Sequence, residues 1–118
     1  MKSLKRNTNK VIAIDFDGTI TEDSPYPKMG AIRESAKKYI KLLHDNGYTL
    51  LLWTARKGSY FSECVNTLNS VGLLKYFTMP LISVMNVGKV NADYYIDDRS
   101  IPGKINWKKT YKYIIKNI

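Results

Sequence analysis

Thiols and imidazoles are nearly absent from this chain of 118 residues, which has one cysteine, Cys64, and one histidine, His44. A lone cysteine excludes an internal disulfide, and the pair together cannot build a zinc centre on thiolate and imidazole ligands. Cys64 falls in YFSECVNTLNSVGL, a helical pattern, and reads as a small buried hydrophobe. His44 has no partner near it in sequence and reads as an ordinary helix residue. Long apolar runs are missing too. None approaches the roughly 20 residues a membrane helix requires, so no membrane partner is expected. The opening MKSLKRNTNK is basic but lacks the apolar core and small-residue cleavage site of a secretory signal, and the expected location is cytoplasmic. Acidic residues are few: 10 Asp and Glu stand against 19 Lys and Arg, a formal net charge of +9.

The excess positive charge crowds residues 1–10 and the closing KINWKKTYKYIIKNI. Both termini therefore carry positive potential, which raises encounter rates with nucleic acid, nucleotides and phosphorylated metabolites. No nucleic-acid-binding signature accompanies the charge, so a solvated surface accounts for it as well. By length the chain is one domain. Its expected organisation is a basic N-terminal extension over 1–10 and a single unit over 11–118.

Short apolar runs alternate with amphipathic segments. VIAIDFD, from Val11, is the first strand. Ile32, Ala36, Ile40 and Leu43 recur at helical spacing, and Asn46-Gly47 stops that helix. YTLLLWTA is a continuous apolar run, as expected of a parallel strand covered on both faces. A helix over SYFSECVNTLNSVGL, stopped by Gly72, is followed by a weak strand, LISV, and a better one, DYYIDD. WKKTYKYIIKNI closes the chain as a helix with Trp107, Tyr111, Ile114 and Ile118 on one face. This alternation predicts an α/β fold, a Rossmann-like doubly wound parallel sheet with helices on both faces. Ligands of such sheets sit beyond the carboxyl ends of the strands, where the strand order reverses. Asp15 and Asp17, Thr54, and the pair Asp97-Asp98 all fall at strand carboxyl ends.

Carboxylates gathered at one sheet edge repel one another by several kcal/mol at about 4 Å and an intermediate dielectric, so the cluster calls for a cation. Oxygen ligands without Cys or His favour a hard ion, and Mg²⁺ typically shares a substrate phosphate. Thr54 offers a hydroxyl donor and Lys89 a cation for phosphoryl oxygens. The turn at Gly18 and Thr19 offers backbone N–H groups to an anion. Arg56 and Arg99 read first as partners in local ion pairs.

DFDGTI at 15–20, the apolar run ending in Thr54, Lys89, and Asp97-Asp98 resemble, in order and spacing, the four signature motifs of the haloacid dehalogenase-like hydrolase superfamily. Similarity in LLLWTARKG and ADYYIDDRSIPGKINW points to its small members without a cap domain. The resemblance implies a Mg²⁺-dependent phosphomonoester hydrolase. Asp15 would be the nucleophile that becomes an aspartyl-phosphate, and Asp17 would protonate the leaving oxygen and then activate water. Thr54, Lys89 and Gly18 would bind phosphate. Asp15 and Asp97 would hold the metal directly, Asp17 through its backbone carbonyl, and Asp98 through water or by orienting a neighbour. An acid at position 17 fits a phosphatase, since dehalogenases of the superfamily lack it and P-type ATPases carry Thr there. Too few residues separate the motifs for a cap, so the site should be open to nucleotide, polynucleotide or sugar phosphates, with selectivity left to loops or to neighbouring subunits of an oligomer.

Two other classes compete. A phosphoacceptor receiver domain uses similar residues, but there the acidic pair precedes the acceptor, the reverse of the order here. A catalytically weak binding module for nucleic acid or phosphorylated ligands would not need Asp15, Asp17, Thr54, Lys89 and Asp97 together.

Overall fold

A computed structural model of the chain describes residues 10–78, 82–83, 91–97 and 105–116. Four parallel strands form its sheet: β1 (Val11–Ile14), β2 (Thr49–Thr54), β3 (Ile82–Ser83) and β4 (Tyr94–Ile96), in spatial order β3-β2-β1-β4. Helix α1 (Glu34–Asp45) joins β1 to β2, α2 (Gly58–Ser70) follows β2, and α3 (Trp107–Lys116) follows β4. The chain steps outward from β1 through β2 to β3, then returns to lay β4 on the other side of β1. Strand order thus reverses at β1, and the crevice at its carboxyl end is where such a sheet takes a ligand. This is the Rossmann-like fold expected from the alternation of elements, and no insert between its elements is long enough for a cap domain.

Register fixes which strand ends meet. Ile14 pairs with Leu52 on one side and with Ile96 on the other, so Asp15 and Asp97 each follow directly on paired residues. The core is a contiguous set that includes Ile12, Ile14, Leu50, Leu52 and Ile96 from the sheet, Ala36, Ile40 and Leu43 from α1, Cys64 and Leu68 from α2, and Trp107 and Ile114 from α3. The apolar run of β2 is not equally covered. Leu50, Leu52 and Thr54 are buried while Thr49, Leu51 and Trp53 are only half-buried, with Trp53 edge-on to Tyr95 at 5.2 Å.

Ile32 differs from the helical role its spacing suggests. It pairs antiparallel with Thr21 before α1 begins, and the Glu22 N–H donates to Ala31 O at 2.8 Å. Residues 21 to 32 therefore form a small projecting hairpin-like loop beside the acidic strand end. The helical period counted Ile32 because an apolar residue just ahead of a helix can mimic its first turn. Asn46 and Gly47 end α1 as expected. The Asn46 side-chain amide donates to Leu42 O and to Tyr111 Oη, and Gly47 takes φ 93°, a left-handed conformation that suits glycine.

Gly30 is where the loop's two arms come closest. A Cβ there would collide with the Glu22 carbonyl, its carbon only 2.8 Å away, and backbone cannot swing aside as a side chain would. Gly30→Ala is expected to destabilise the fold by about 1–3 kcal/mol through forced separation of the arms, measured by urea denaturation; a midpoint equal to that of the parent chain would contradict this packing.

Candidate active site

At the end of β1 the chain makes one tight turn. Phe16 O accepts hydrogen bonds from the N–H groups of Thr19, Ile20 and Thr21 at 3.2, 2.9 and 3.2 Å, which curls residues 16 to 21 back on themselves. Gly18 takes φ 78°, a conformation a β-carbon would oppose. Phe16, Thr19 and Ile20 are buried, so Asp15 and Asp17 alternate outward from an anchored backbone as half-buried carboxylates. The Gly18 N–H donates to Thr21 Oγ1 at 3.1 Å and the Thr19 N–H to Phe16 O, so both are engaged within the turn. Gly18 thus shapes the turn that leads out of the acidic pair.

Two distant residues hold the turn from outside. Arg33, ahead of α1, donates from Nη2 to Gly18 O at 3.1 Å and from Nε to Thr21 O at 3.0 Å. Trp107, the first residue of α3, donates from Nε1 to Thr19 O at 2.9 Å while its ring is buried. Sequence reading assigned neither role. The Arg33 contacts carry no local signal, whereas a Trp heading an amphipathic helix hints that its N–H needs a partner.

Asp15 and Asp97 come together. The Asp15 N–H donates to Ile96 O at 2.9 Å, so the residue before Asp97 is bonded directly to Asp15, and both side chains are half-buried at adjacent strand ends. Thr54 ends β2 on the other side of β1, nearly fully buried, with its Oγ1 accepting the Arg56 N–H at 3.1 Å. That bond leaves the hydroxyl proton to be donated elsewhere. Lys89 and Asp98 lie outside the described residues. Among the described residues no group of three or more His, Cys, Asp or Glu side chains is arranged to hold a metal. Two hard carboxylates are nevertheless a fitting donor set for Mg²⁺, which commonly takes one or two carboxylates and completes its shell with water and phosphate.

Asp17 behaves differently from its neighbours. Arg56 Nε donates to its Oδ2 and Nη2 to its Oδ1, both at 2.8 Å, a two-pronged pair between residues 39 apart in sequence. The local ion pair expected for Arg56 is present, to Glu63 seven residues on, and this distant partner is added to it. Arg56 has no exposed surface, and its guanidinium lies 5.7 Å from the Phe16 ring and 5.4 Å from the Tyr26 ring. Nη2 also reaches Pro27 O at 3.1 Å and Lys28 O at 3.4 Å, and Nη1 stands 3.6 Å from Glu63 Oε1. The hydrogen bond to Asp17 drives the guanidinium pKa above its ordinary value, against the opposing pull of burial. Burying a guanidinium is costly unless it is paired, and removing one partner of such a pair costs about 3–5 kcal/mol, toward the low end here because the Asp17 side chain keeps 35% exposure.

The chain belongs to the haloacid dehalogenase-like hydrolases, whose family pattern matches residues 12–117. A solved structure described as that of a conserved protein from Bacteroides thetaiotaomicron is similar over 94% of this chain and 93% of its own length, at 32% identity and a TM-score of 0.77. No curated protein matched.

Cys64 lies near this cluster but is chemically quiet. Burial pushes its thiol up to about 12, an effect larger than the lowering exerted by Arg56. Because the folded pKa is raised, the thiol stays protonated until the pH approaches that value, whereas the unfolded chain ionises near the ordinary cysteine pKa of about 8.5. Iodoacetamide at pH 9 is therefore expected to leave Cys64 unmodified in the folded protein and to alkylate it rapidly in denaturant, read by intact mass. Equal rates in the two states would show that the side chain is accessible as thiolate.

Proposed function

We propose that the protein is a Mg²⁺-dependent phosphomonoester hydrolase that works through an aspartyl-phosphate on Asp15. The observation that carries this reading is the meeting of Asp15 and Asp97 where the strand order reverses, with Asp17 one turn away. Family membership supports hydrolysis in general, and the pairing of an attacking carboxylate with a second acid two residues on supports phosphate esters in particular.

Asp15 attacks the phosphorus with one carboxylate oxygen. The P–O bond to the leaving group breaks, and Asp17 gives that oxygen a proton. A water molecule then attacks the same phosphorus and loses a proton to Asp17, and the P–O bond to Asp15 breaks to release inorganic phosphate. Mg²⁺ held by Asp15 and Asp97, when bound, supplies positive charge against the phosphoryl oxygens. Thr54 donates its hydroxyl proton to the phosphate, and Lys89 and Asp98 are assigned their roles from sequence alone: a cation for phosphoryl oxygen and support for the metal. Anchoring of the turn through Phe16, Arg33 and Trp107 favours catalysis because it fixes the attacking oxygen before substrate arrives.

A site without a cap admits bulky leaving groups, and a net charge of +9 favours anionic ones. The substrate class that follows is a phosphorylated small molecule or the phosphorylated end of a polymer, nucleotides and polynucleotides included, with the basic termini as the contact to nucleic acid.

The test is release of phosphate from p-nitrophenyl phosphate with and without Mg²⁺. Asp15→Asn is expected to lower kcat by at least about 10³-fold, since it removes the nucleophile and leaves only binding and electrostatic contributions. Turnover that persists in that variant, or that ignores chelation by EDTA, would refute the assignment.

A further inference from the structure

We infer that Arg56 is a positioning residue for Asp17, holding the carboxylate of the proton-transferring group in place and joining it to the loop at Tyr26–Lys28. The inference rests on the phosphatase reading above and adds to it a residue outside the four motif positions.

Three features separate this contact from an ordinary surface ion pair. The first is geometry: both carboxylate oxygens of Asp17 are taken by the two prongs of one planar group at 2.8 Å, which sets the plane of the carboxylate as well as its distance. A carboxylate held that way cannot swing about its side-chain torsions. The second is anchorage. The guanidinium is fully buried between Phe16, inside the acidic motif, and Tyr26, and it accepts no freedom from solvent. The third is connection. Nη2 is shared with the carbonyls of Pro27 and Lys28, so the same side chain pins the tip of the 21–32 loop.

A carboxylate doubly bonded to a guanidinium is acceptor-only. To deliver a proton to a leaving oxygen, Asp17 must free one of its oxygens from one prong while the other prong keeps the group aimed. Nη2 has the Pro27 and Lys28 carbonyls as standing acceptors and can give up Asp17 Oδ1 without being left unpaired. The Nε bond to Oδ2 at 2.8 Å keeps the carboxylate aimed while Oδ1 is released to carry the proton. Arg56 touches neither substrate nor reacting atoms in this scheme; it acts through Asp17.

A positioning role predicts a loss that depends on the leaving group, which a purely structural role does not. Nitrophenolate departs readily without a proton, whereas an alkoxide requires one. For Arg56→Gln, kcat/KM, which covers the steps up to departure of the leaving group, is expected to fall on the order of 100-fold toward an alkyl phosphomonoester such as glycerol phosphate. Toward p-nitrophenyl phosphate the expected loss in kcat/KM is less than about tenfold, while the later water attack, common to both esters, is slowed alike in kcat. In an Asp17→Asn background, replacing Arg56 should cost nothing further on the alkyl ester. Equal losses in kcat/KM on both substrates, or additive losses in the double variant, overturn the inference and leave the phosphatase reading standing. A parent chain with no Asp15-dependent turnover of either ester overturns both. Should Arg56→Gln fail to fold by circular dichroism, Arg56→Lys keeps the charge without the fork, and the same comparison is expected with smaller losses. The unmodified chain gives a second readout: with Mg²⁺ and orthovanadate, ¹⁵N spectra should show hindered rotation of the Arg56 guanidinium. A single averaged Nη signal would overturn the inference.

Discussion

A buried strand that ends in two carboxylates must find each of them a partner, and most of this structure can be understood as the answer to that constraint. Desolvating an unpaired carboxylate is unfavourable by far more than a single hydrogen bond returns. For Asp17 the partner is a guanidinium carried by the next strand's exit loop. Asp15 and its neighbour Asp97 are brought to adjacent strand ends by the Asp15 N–H to Ile96 O bond, and their charges share a sign, which is the ground on which a cation was proposed for them. One motif thus contains two electrostatic environments, a buried guanidinium beside one carboxylate and a like-charged neighbour beside the other. The division matches the chemistry proposed for them, since a nucleophile must meet the incoming phosphate and a proton donor must be aimed at its far side.

Holding that division steady depends on backbone rather than charge. The turn after β1 is closed by three N–H groups on one carbonyl, that of Phe16, and its own carbonyls are capped by Arg33 and Trp107 from elements 15 and 88 residues away. Those long-range bonds mean that docking of α1 and α3 finishes the site. A short sheet whose core is shared among these helices gains from this arrangement, because packing of α1 and α3 also orders the turn after β1.

Much of this could be read from the residues alone, and the parts that could not have a common cause. Strand and helix positions follow from hydrophobic period, and the placement of Asp15, Thr54 and Asp97 at strand ends follows from where apolar runs stop. Ile32 misled because period counts apolar residues without knowing when the chain has not yet turned into a helix. Gly18 adds a contact that pattern does not reveal, since its N–H donates to Thr21 Oγ1 within the turn. Arg56 is the instructive case. It sits two residues past Thr54, so its place near the sheet edge and a local ion pair, met by Glu63, were legible, but the second partner, Asp17, depends on β1 and β2 being adjacent. Tertiary neighbours of charged side chains are set by strand order, which sequence pattern constrains only weakly.

Arg56 also explains how a site without a cap can still be ordered at its mouth. The loop over 21–32 is tied at its base by the Thr21–Ile32 bridge and the close approach at Gly30, and at its tip by the carbonyls of Pro27 and Lys28 on a buried guanidinium. Tyr26, exposed at 57%, packs over that guanidinium and meets Tyr60 of α2 edge-on at 5.6 Å, so the rim is built of rings stacked on a fixed charge. A closing lid reaches order by motion that follows binding; here the rim is ordered beforehand by the same buried cation that orients the acid. On the proposed phosphatase reading, shape and charge already present at this rim contribute to discrimination among leaving groups.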